Sequence, residues 1–125
     1  MKIYLAGPMR NIPQFNFPAF HAAAAALRAQ GHEVFNPAER DIAAHGDIAT
    51  ENKTGNEDEA AAKHGFNLRE ALAADMAYIC LHADAIALLP GWNKSTGATA
   101  ERATAIALHL PVLFLDPGKN YALCE

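Results

Sequence analysis

The chain has 125 residues, of which 51% are hydrophobic, and carries a formal charge of −4 at pH 7. This length predicts a single domain spanning residues 1–125 with a sizeable core. The acidic balance excludes a general nucleic-acid binder, while leaving room for one local cationic site for a phosphate. No apolar run approaches the eighteen or so residues of a membrane span, and residues 1–8 are too short and interrupted for a signal peptide. We therefore expect a cytoplasmic protein that binds neither nucleic acid nor membrane.

The residue types that bind metals or form disulfides show no pattern typical of either role. The two cysteines are too few for a disulfide framework. We expect Cys80 to be a buried core thiol and Cys124 to lie in a tail. The six histidines have no zinc-binding spacing. We therefore expect no metal and no cofactor.

The first third of the chain reads as strand, helix and strand. Residues 2–6 predict a first strand, which Gly7 ends in a loop. An alanine-rich helix follows, with Asn16 as its predicted N-cap and Gly31 beyond its last turn. Residues 33–36 predict the second strand.

A polar, acidic segment over residues 37–66 interrupts this alternation, and within it only residues 58–63 have a helical pattern. Thirty residues without firm structure are unusual inside a small domain. We expect this segment to be a lid or an interface loop.

The alternation resumes at Asn67, a predicted helix cap. The helix after it is expected to bury one apolar face formed by Leu68, Leu72, Met76 and Ile79. Residues 83–89 predict a buried strand, Ser95 or Thr96 caps a helix that runs to about residue 109, and residues 111–115 predict a last strand.

Strands that alternate with helices predict an α/β fold, here a flavodoxin/Rossmann-like three-layer sandwich with a four- or five-stranded, mainly parallel sheet. Ligands of such folds bind at the carboxyl ends of the strands. The loops after Leu5, Phe35 and Leu89 should therefore converge on one site.

The helix that begins near Ser95 carries an acid, Glu101, about one and a half turns inside it. Free N–H groups and the positive dipole end of a helix favour bound anions and hold a nearby carboxylate ionised. An ionised carboxylate can act as a nucleophile. The alternative interpretation is a solvated carboxylate that contributes a few tenths of a kcal/mol through the dipole.

Several motifs together resemble a known family, the nucleoside 2-deoxyribosyltransferase superfamily, which includes the 2′-deoxynucleoside 5′-monophosphate N-glycosidases. They are residues 3–8 (IYLAGP), Asp75, a strand with Asp84, and the spacing Ser95-x-Gly97-x-x-x-Glu101. The likeness spans the chain except residues 37–65. The small members from phages and bacteria, most of them uncharacterised, resemble this chain most.

This resemblance implies cleavage or exchange of the N-glycosidic bond of a nucleotide or nucleoside. The glutamate matching Glu101 attacks the anomeric carbon, as in retaining glycosidases. The aspartate matching Asp75 binds the nucleoside and helps protonate the leaving base, and the tyrosine matching Tyr4 orients the nucleophile. Family sites are often completed across a dimer interface, so we expect a homodimer or a higher homo-oligomer.

The resemblance also implies a phosphate-binding part of the site. Arg10 matches a basic residue that the monophosphate-cleaving members use, and Ser95 with the Gly97 backbone matches another part of that cradle. Gly7 lies in the same loop as Arg10. Trp92 is placed at the mouth, where it could stack on a base or pack against a neighbouring subunit.

The chain departs from the family pattern at Asn93, Lys94 and Thr99, where relatives carry acidic residues or a glycine. These departures keep open a second interpretation, a non-catalytic module that senses or sequesters a nucleotide-derived ligand. A third is an interaction protein that works through the acidic segment over residues 37–66.

Overall fold

The computed structural model describes residues 1–46, 52, 55–56, 58, 60–61, 65 and 67–124. Its strands are β1 (Lys2–Ala6), β2 (Glu33–Phe35), β3 (Ala85–Leu88), β4 (Val112–Asp116) and β5 (Ala122–Cys124). Its longer helices are α1 (Phe17–Ala29), α2 (Pro37–His45), α3 (Leu68–Leu81) and α4 (Thr96–Ala107). Short 3₁₀ turns span Pro13–Asn16, Trp92–Lys94 and Pro117–Lys119. No helix in these ranges is long and apolar enough to cross a membrane.

The strands form one sheet in the order β2-β1-β3-β4-β5, in which β5 is antiparallel and the other pairs are parallel. The chain winds outward in one direction from β1 to β2 and in the other from β3 to β4. The fold is therefore the predicted flavodoxin/Rossmann-like sandwich. Its topological switch point, where such folds bind ligands, lies between the carboxyl ends of β1 and β3.

Successive residues of β1 face opposite sides of the sheet, and each side has its own core. Ile3 and Leu5 pack in the cluster that includes α1 residues such as Phe20 and Leu27. Tyr4 and Ala6 lie in the second cluster, with residues of α3 and α4. The alternation therefore points Tyr4 toward the two helices that carry the predicted acids.

Helix α2 corrects the expectation of a long irregular segment after β2. Asn36 caps it, since its side-chain oxygen accepts a hydrogen bond of 2.9 Å from the backbone N–H of Ala38, and Pro37 occupies the first turn. Further along, Asp58, Ala60 and Ala61 are helical, in agreement with the helix predicted over residues 58–63. The rest of that prediction lies outside the described residues, and the lid or interface role stays a prediction.

Tertiary contacts also correct four local expectations. Asn16 precedes α1, but its side-chain N–H donates to the Pro8 carbonyl over 3.0 Å and does not cap the helix. Cys80 is exposed, and Cys124 belongs to β5, paired with Phe114. On α3, Ile79 is buried as expected, whereas Leu68 and Leu72 are 45% and 36% exposed. The buried stripe of α3 is instead formed by Ala71, Asp75 and Ile79.

Gly7 lies where the ends of β1 and β3 approach most closely. A β-carbon built on Gly7 would lie 2.8 Å from Cβ of Leu89, which belongs to the core and has no room to withdraw. Gly97 faces open space by comparison, since its nearest neighbour would be the Ser95 hydroxyl at 4.0 Å. Gly7 is therefore required by packing, whatever its part in binding.

We expect Gly7→Ala to destabilise the protein by about 1–3 kcal/mol, the usual cost of inserting a methyl group into a packed region. Gly97→Ala is the matched control and should leave the melting temperature unchanged or raise it. Thermal unfolding of both variants measures the difference. Equal melting temperatures would show that the ends of β1 and β3 relax around the added methyl group at residue 7.

Candidate active site

A cavity of about 280 Å³ lies at the switch point of the sheet. Its walls come from the loop after β1, from α2, from α3 and from the start of α4. The loops after β1, β2 and β3 thus converge as the alternation predicts. Seven of the eight predicted site residues line the cavity: Tyr4, Gly7, Arg10, Asp75, Ser95, Gly97 and Glu101.

Trp92 is the exception. Its ring packs against the ring of Phe114, with centroids 6.2 Å apart, and the guanidinium of Arg102 lies 5.0 Å from the Trp92 centroid. Trp92 also packs against the second core cluster. It therefore lies outside the lining of the cavity, and a role for Trp92 at the mouth of the site stays a prediction.

Glu101 and Tyr4 form the centre of the site. Glu101 lies on the buried stripe of α4 with Ala98 and Ala105, whose small side chains leave space around its carboxyl group. The Tyr4 hydroxyl donates a hydrogen bond of 2.6 Å to Oε2 of Glu101. Tyr4 is fully buried and Glu101 is 6% exposed, so this bond is shielded from bulk water.

Burial changes the ionisation expected for Glu101. Desolvation raises the pKa of Glu101 to about 8, and the negative charge of Asp75 adds to the rise, while Tyr4 and Arg40 oppose it. Burial therefore opposes the expected effect of the start of α4, which is to keep this carboxylate ionised. A dipole acts mainly over the first turn, and burial outweighs it one and a half turns inside the helix.

Asp75 is the second acid of the cavity. It lies on the buried stripe of α3 and is 7% exposed. Desolvation raises the pKa of Asp75 to about 6, against the opposing effects of Arg40 and Tyr4. Burial therefore favours the protonated form of both carboxyls, and more strongly that of Glu101.

Two further residues, Arg40 and Asp41, line the cavity beside Asp75, and sequence reasoning missed both. Nη2 of Arg40 lies 2.7 Å from Asp41 and 3.2 Å from Asp75, and Nη1 donates to the Ala71 carbonyl over 2.7 Å. Desolvation also raises the pKa of Asp41, to about 6. The Asn36-Pro37 pair is the signal that would have placed these residues on a helix.

The start of α4 brings positive charge to the cavity. Lys94 precedes this helix and lines the cavity, as does Arg10 from the loop after β1. The Ser95 hydroxyl oxygen accepts a hydrogen bond of 3.1 Å from the N–H of Ala98, so Ser95 caps α4 as predicted. First-turn N–H groups such as that of Gly97 have no acceptor within their own helix. This part of the cavity suits an anion.

The described residues contain no group of three or more histidine, cysteine, aspartate or glutamate side chains that could hold a metal ion. The side chains that line the cavity can carry out proton transfer between carboxyls, attack by a carboxylate and binding of an anion.

A search of curated proteins finds no match to this sequence. A family model described as a domain of unknown function, DUF4406, matches residues 1–114 and so takes in β1 to β3, α1 to α4 and every residue of the cavity. The chain therefore belongs to the DUF4406 family.

Proposed function

We propose that this protein cleaves the N-glycosidic bond of a nucleotide or nucleoside, with Glu101 as the nucleophile. The observation that carries the proposal is the 2.6 Å hydrogen bond from Tyr4 to Glu101 inside a cavity that Asp75 also lines. A retaining glycosidic reaction needs two carboxyl groups, one to attack the sugar and one to protonate the leaving group. The resemblance to the deoxyribosyltransferase superfamily supports the same assignment.

The first step begins with the pair holding one proton. An oxygen of Glu101 attacks C1′ of the sugar, the C1′–N bond breaks, and its electron pair stays on the base nitrogen. That nitrogen takes the proton from Asp75, and the sugar is left as an ester of Glu101. The oxocarbenium character that develops at C1′ favours an ionised Glu101 and so draws the shared proton to Asp75.

The second step releases the sugar. Asp75, now a carboxylate, accepts a proton from water as the water oxygen attacks C1′, and Glu101 leaves as a carboxylate. The sum is nucleotide plus water giving base plus sugar phosphate. If a second base attacks in place of water, the same ester gives base exchange.

The distribution of charge favours a nucleotide over a nucleoside. Arg10, Lys94 and the first turn of α4 line the same cavity as Asp75 and Glu101. A 5′-phosphate bound by the cationic groups would hold the sugar in the cavity with the two carboxyls. The exposed Leu68 and Leu72 also line the cavity and offer an apolar wall for the base.

One observation favours a second candidate function, a module that binds a nucleotide-derived ligand without turnover. Burial raises the pKa of Glu101 and so favours its protonated form in the ligand-free protein, and a protonated carboxyl is a poor nucleophile. Such a carboxyl can still donate a hydrogen bond to a ligand.

The test is release of free base from a panel of nucleoside 5′-monophosphates and nucleosides, with and without an acceptor base, followed by chromatography. We expect release from at least one monophosphate. Release that requires an acceptor indicates exchange, and release without one indicates hydrolysis. The control variant Glu70→Gln alters an exposed acid at the start of α3 and should match the wild type. A raised melting temperature with no base released would replace the enzyme proposal with the binding module.

A further inference from the structure

Arg40 takes no step in the proposed reaction, but its side chain connects two helices in the wall of the cavity. It begins on α2 and reaches α3, where Nη1 donates to the Ala71 carbonyl over 2.7 Å. Ala71 is one turn before Asp75 on the same helix. The bond therefore fixes the guanidinium next to the Asp75 carboxyl, which lies 3.2 Å from Nη2.

Two carboxyls share the same guanidinium nitrogen. Nη2 of Arg40 lies closer to Asp41, at 2.7 Å, than to Asp75. Nη2 also donates a hydrogen bond of 3.4 Å to Oδ2 of Asp75, while Oδ1 of Asp75 is buried and has no hydrogen-bond partner among the described residues. Asp41 therefore makes the closer contact with the cation, and Asp75 makes the longer one.

The groups that act on Asp75 come from three elements. Tyr4 reaches it from β1, Arg40 and Asp41 from α2, and Glu101 from α4. Arg40 is the positively charged member of these four groups. The positive charges of Arg10 and Lys94, which also line the cavity, lie after β1 and before α4.

We propose that Arg40 is a positioning residue for the proposed reaction: anchored on the Ala71 carbonyl, it orients Asp75 and divides its charge between Asp75 and Asp41. The inference rests on the proposed function for its role in turnover. Its effect on Asp75 is independent of turnover. Asp41 competes with Asp75 for the positive charge of Arg40, and this competition keeps Asp75 able to carry a proton.

Removal of the Arg40 cation and removal of the Asp41 carboxylate should shift the pKa of Asp75 in opposite directions. Arg40 lowers the pKa of Asp75 and Asp41 raises it. Arg40→Gln should therefore make Asp75 titrate at higher pH, and Asp41→Asn should make it titrate at lower pH. Loss of a merely structural contact would lower stability in both variants without these opposite shifts.

The experiment is a ¹³C NMR titration of the side-chain carboxyls in the ligand-free protein. We expect the midpoint of Asp75 to rise by about one pH unit in Arg40→Gln and to fall in Asp41→Asn. Arg40→Lys retains the charge and should stay nearer the wild type than Arg40→Gln does. If Arg40→Gln does not fold, the direction of the shift in Asp41→Asn decides the question.

The matched control is Arg28→Gln, which removes another arginine–carboxylate pair, the 2.6 Å surface contact between Arg28 of α1 and Glu39 of α2. It should leave the Asp75 titration unchanged. Shifts of the same sign in Arg40→Gln and Asp41→Asn, or none in either, would overturn the inference. Base release is measured separately, so its absence alongside the expected shifts would contradict the proposed function and not the role of Arg40.

Discussion

Glu101→Gln is expected to abolish base release and, at the same time, to make the folded protein more stable above pH 8. Glutamine keeps the size of the side chain and an oxygen for the 2.6 Å hydrogen bond from Tyr4. It has no carboxylate to attack C1′, so turnover should fall by about a thousandfold or more. The two effects have one cause, which is that the same buried carboxyl must ionise to react.

The gain in stability follows from the raised pKa of Glu101, about 8 in the folded protein against an ordinary value of 4.5. Between these values the folded protein binds more protons than the unfolded chain, so its free energy of unfolding falls as pH rises. The contribution is fully present below pH 4.5 and is lost as pH rises through about 8. Glutamine does not titrate and removes this loss.

Melting temperatures of wild type and Glu101→Gln from pH 5 to pH 9 measure this effect. The two curves should separate as pH rises, and the variant should melt at least about 3 °C higher at pH 9. The exposed variant Glu70→Gln should follow the wild type throughout. Parallel curves for wild type and Glu101→Gln would mean that the Glu101 carboxyl ionises as easily in the fold as in water.

Asp75→Asn is expected to lower base release by about a hundredfold or more, the usual contribution of a general acid. The size of the loss should depend on the leaving group. A natural base needs a proton on departure, whereas p-nitrophenolate leaves without one. An Asp75→Asn protein should therefore lose much less activity on a p-nitrophenyl riboside 5′-phosphate than on a nucleotide.

Comparison with Glu101→Gln separates the two roles, because loss of the nucleophile should be equally severe for both kinds of substrate. The rates of both variants are therefore measured on both substrates. An equal loss on both substrates in Asp75→Asn would indicate that Asp75 binds the sugar and does not protonate the base.

The sequence predicts the parts of this fold that depend on local periodicity. The bounds of β1 are those expected, and the caps at Asn67 and Ser95 accept the N–H groups of Glu70 and Ala98. These features depend on neighbouring residues. The meeting of the loops after β1 and β3 also follows from the sequence, because parallel strands end at one edge of the sheet.

The features that the sequence analysis missed depend on contacts between distant segments. Arg40 and Asp41 lie on a short polar helix, and their role depends on Asp75, more than thirty residues away. Leu68 and Leu72 have the spacing of a core face but line the cavity. Ionisation of Glu101 depends on its burial and on Tyr4, Asp75 and Arg40 from three other elements, which a dipole argument on α4 alone does not include.

The most direct test of the central claim is to detect the sugar ester on Glu101. A nucleotide with fluorine at C2′ destabilises the oxocarbenium-like transition states and slows release of the sugar, so the ester should accumulate. Rapid acid quenching, proteolysis and mass spectrometry would then locate the adduct. We predict a mass increase equal to the fluorinated sugar phosphate less one water on the peptide that contains Glu101, and none in Glu101→Gln. Release of base with an adduct on another residue, or unimpaired release by Glu101→Gln, would contradict Glu101 as the nucleophile.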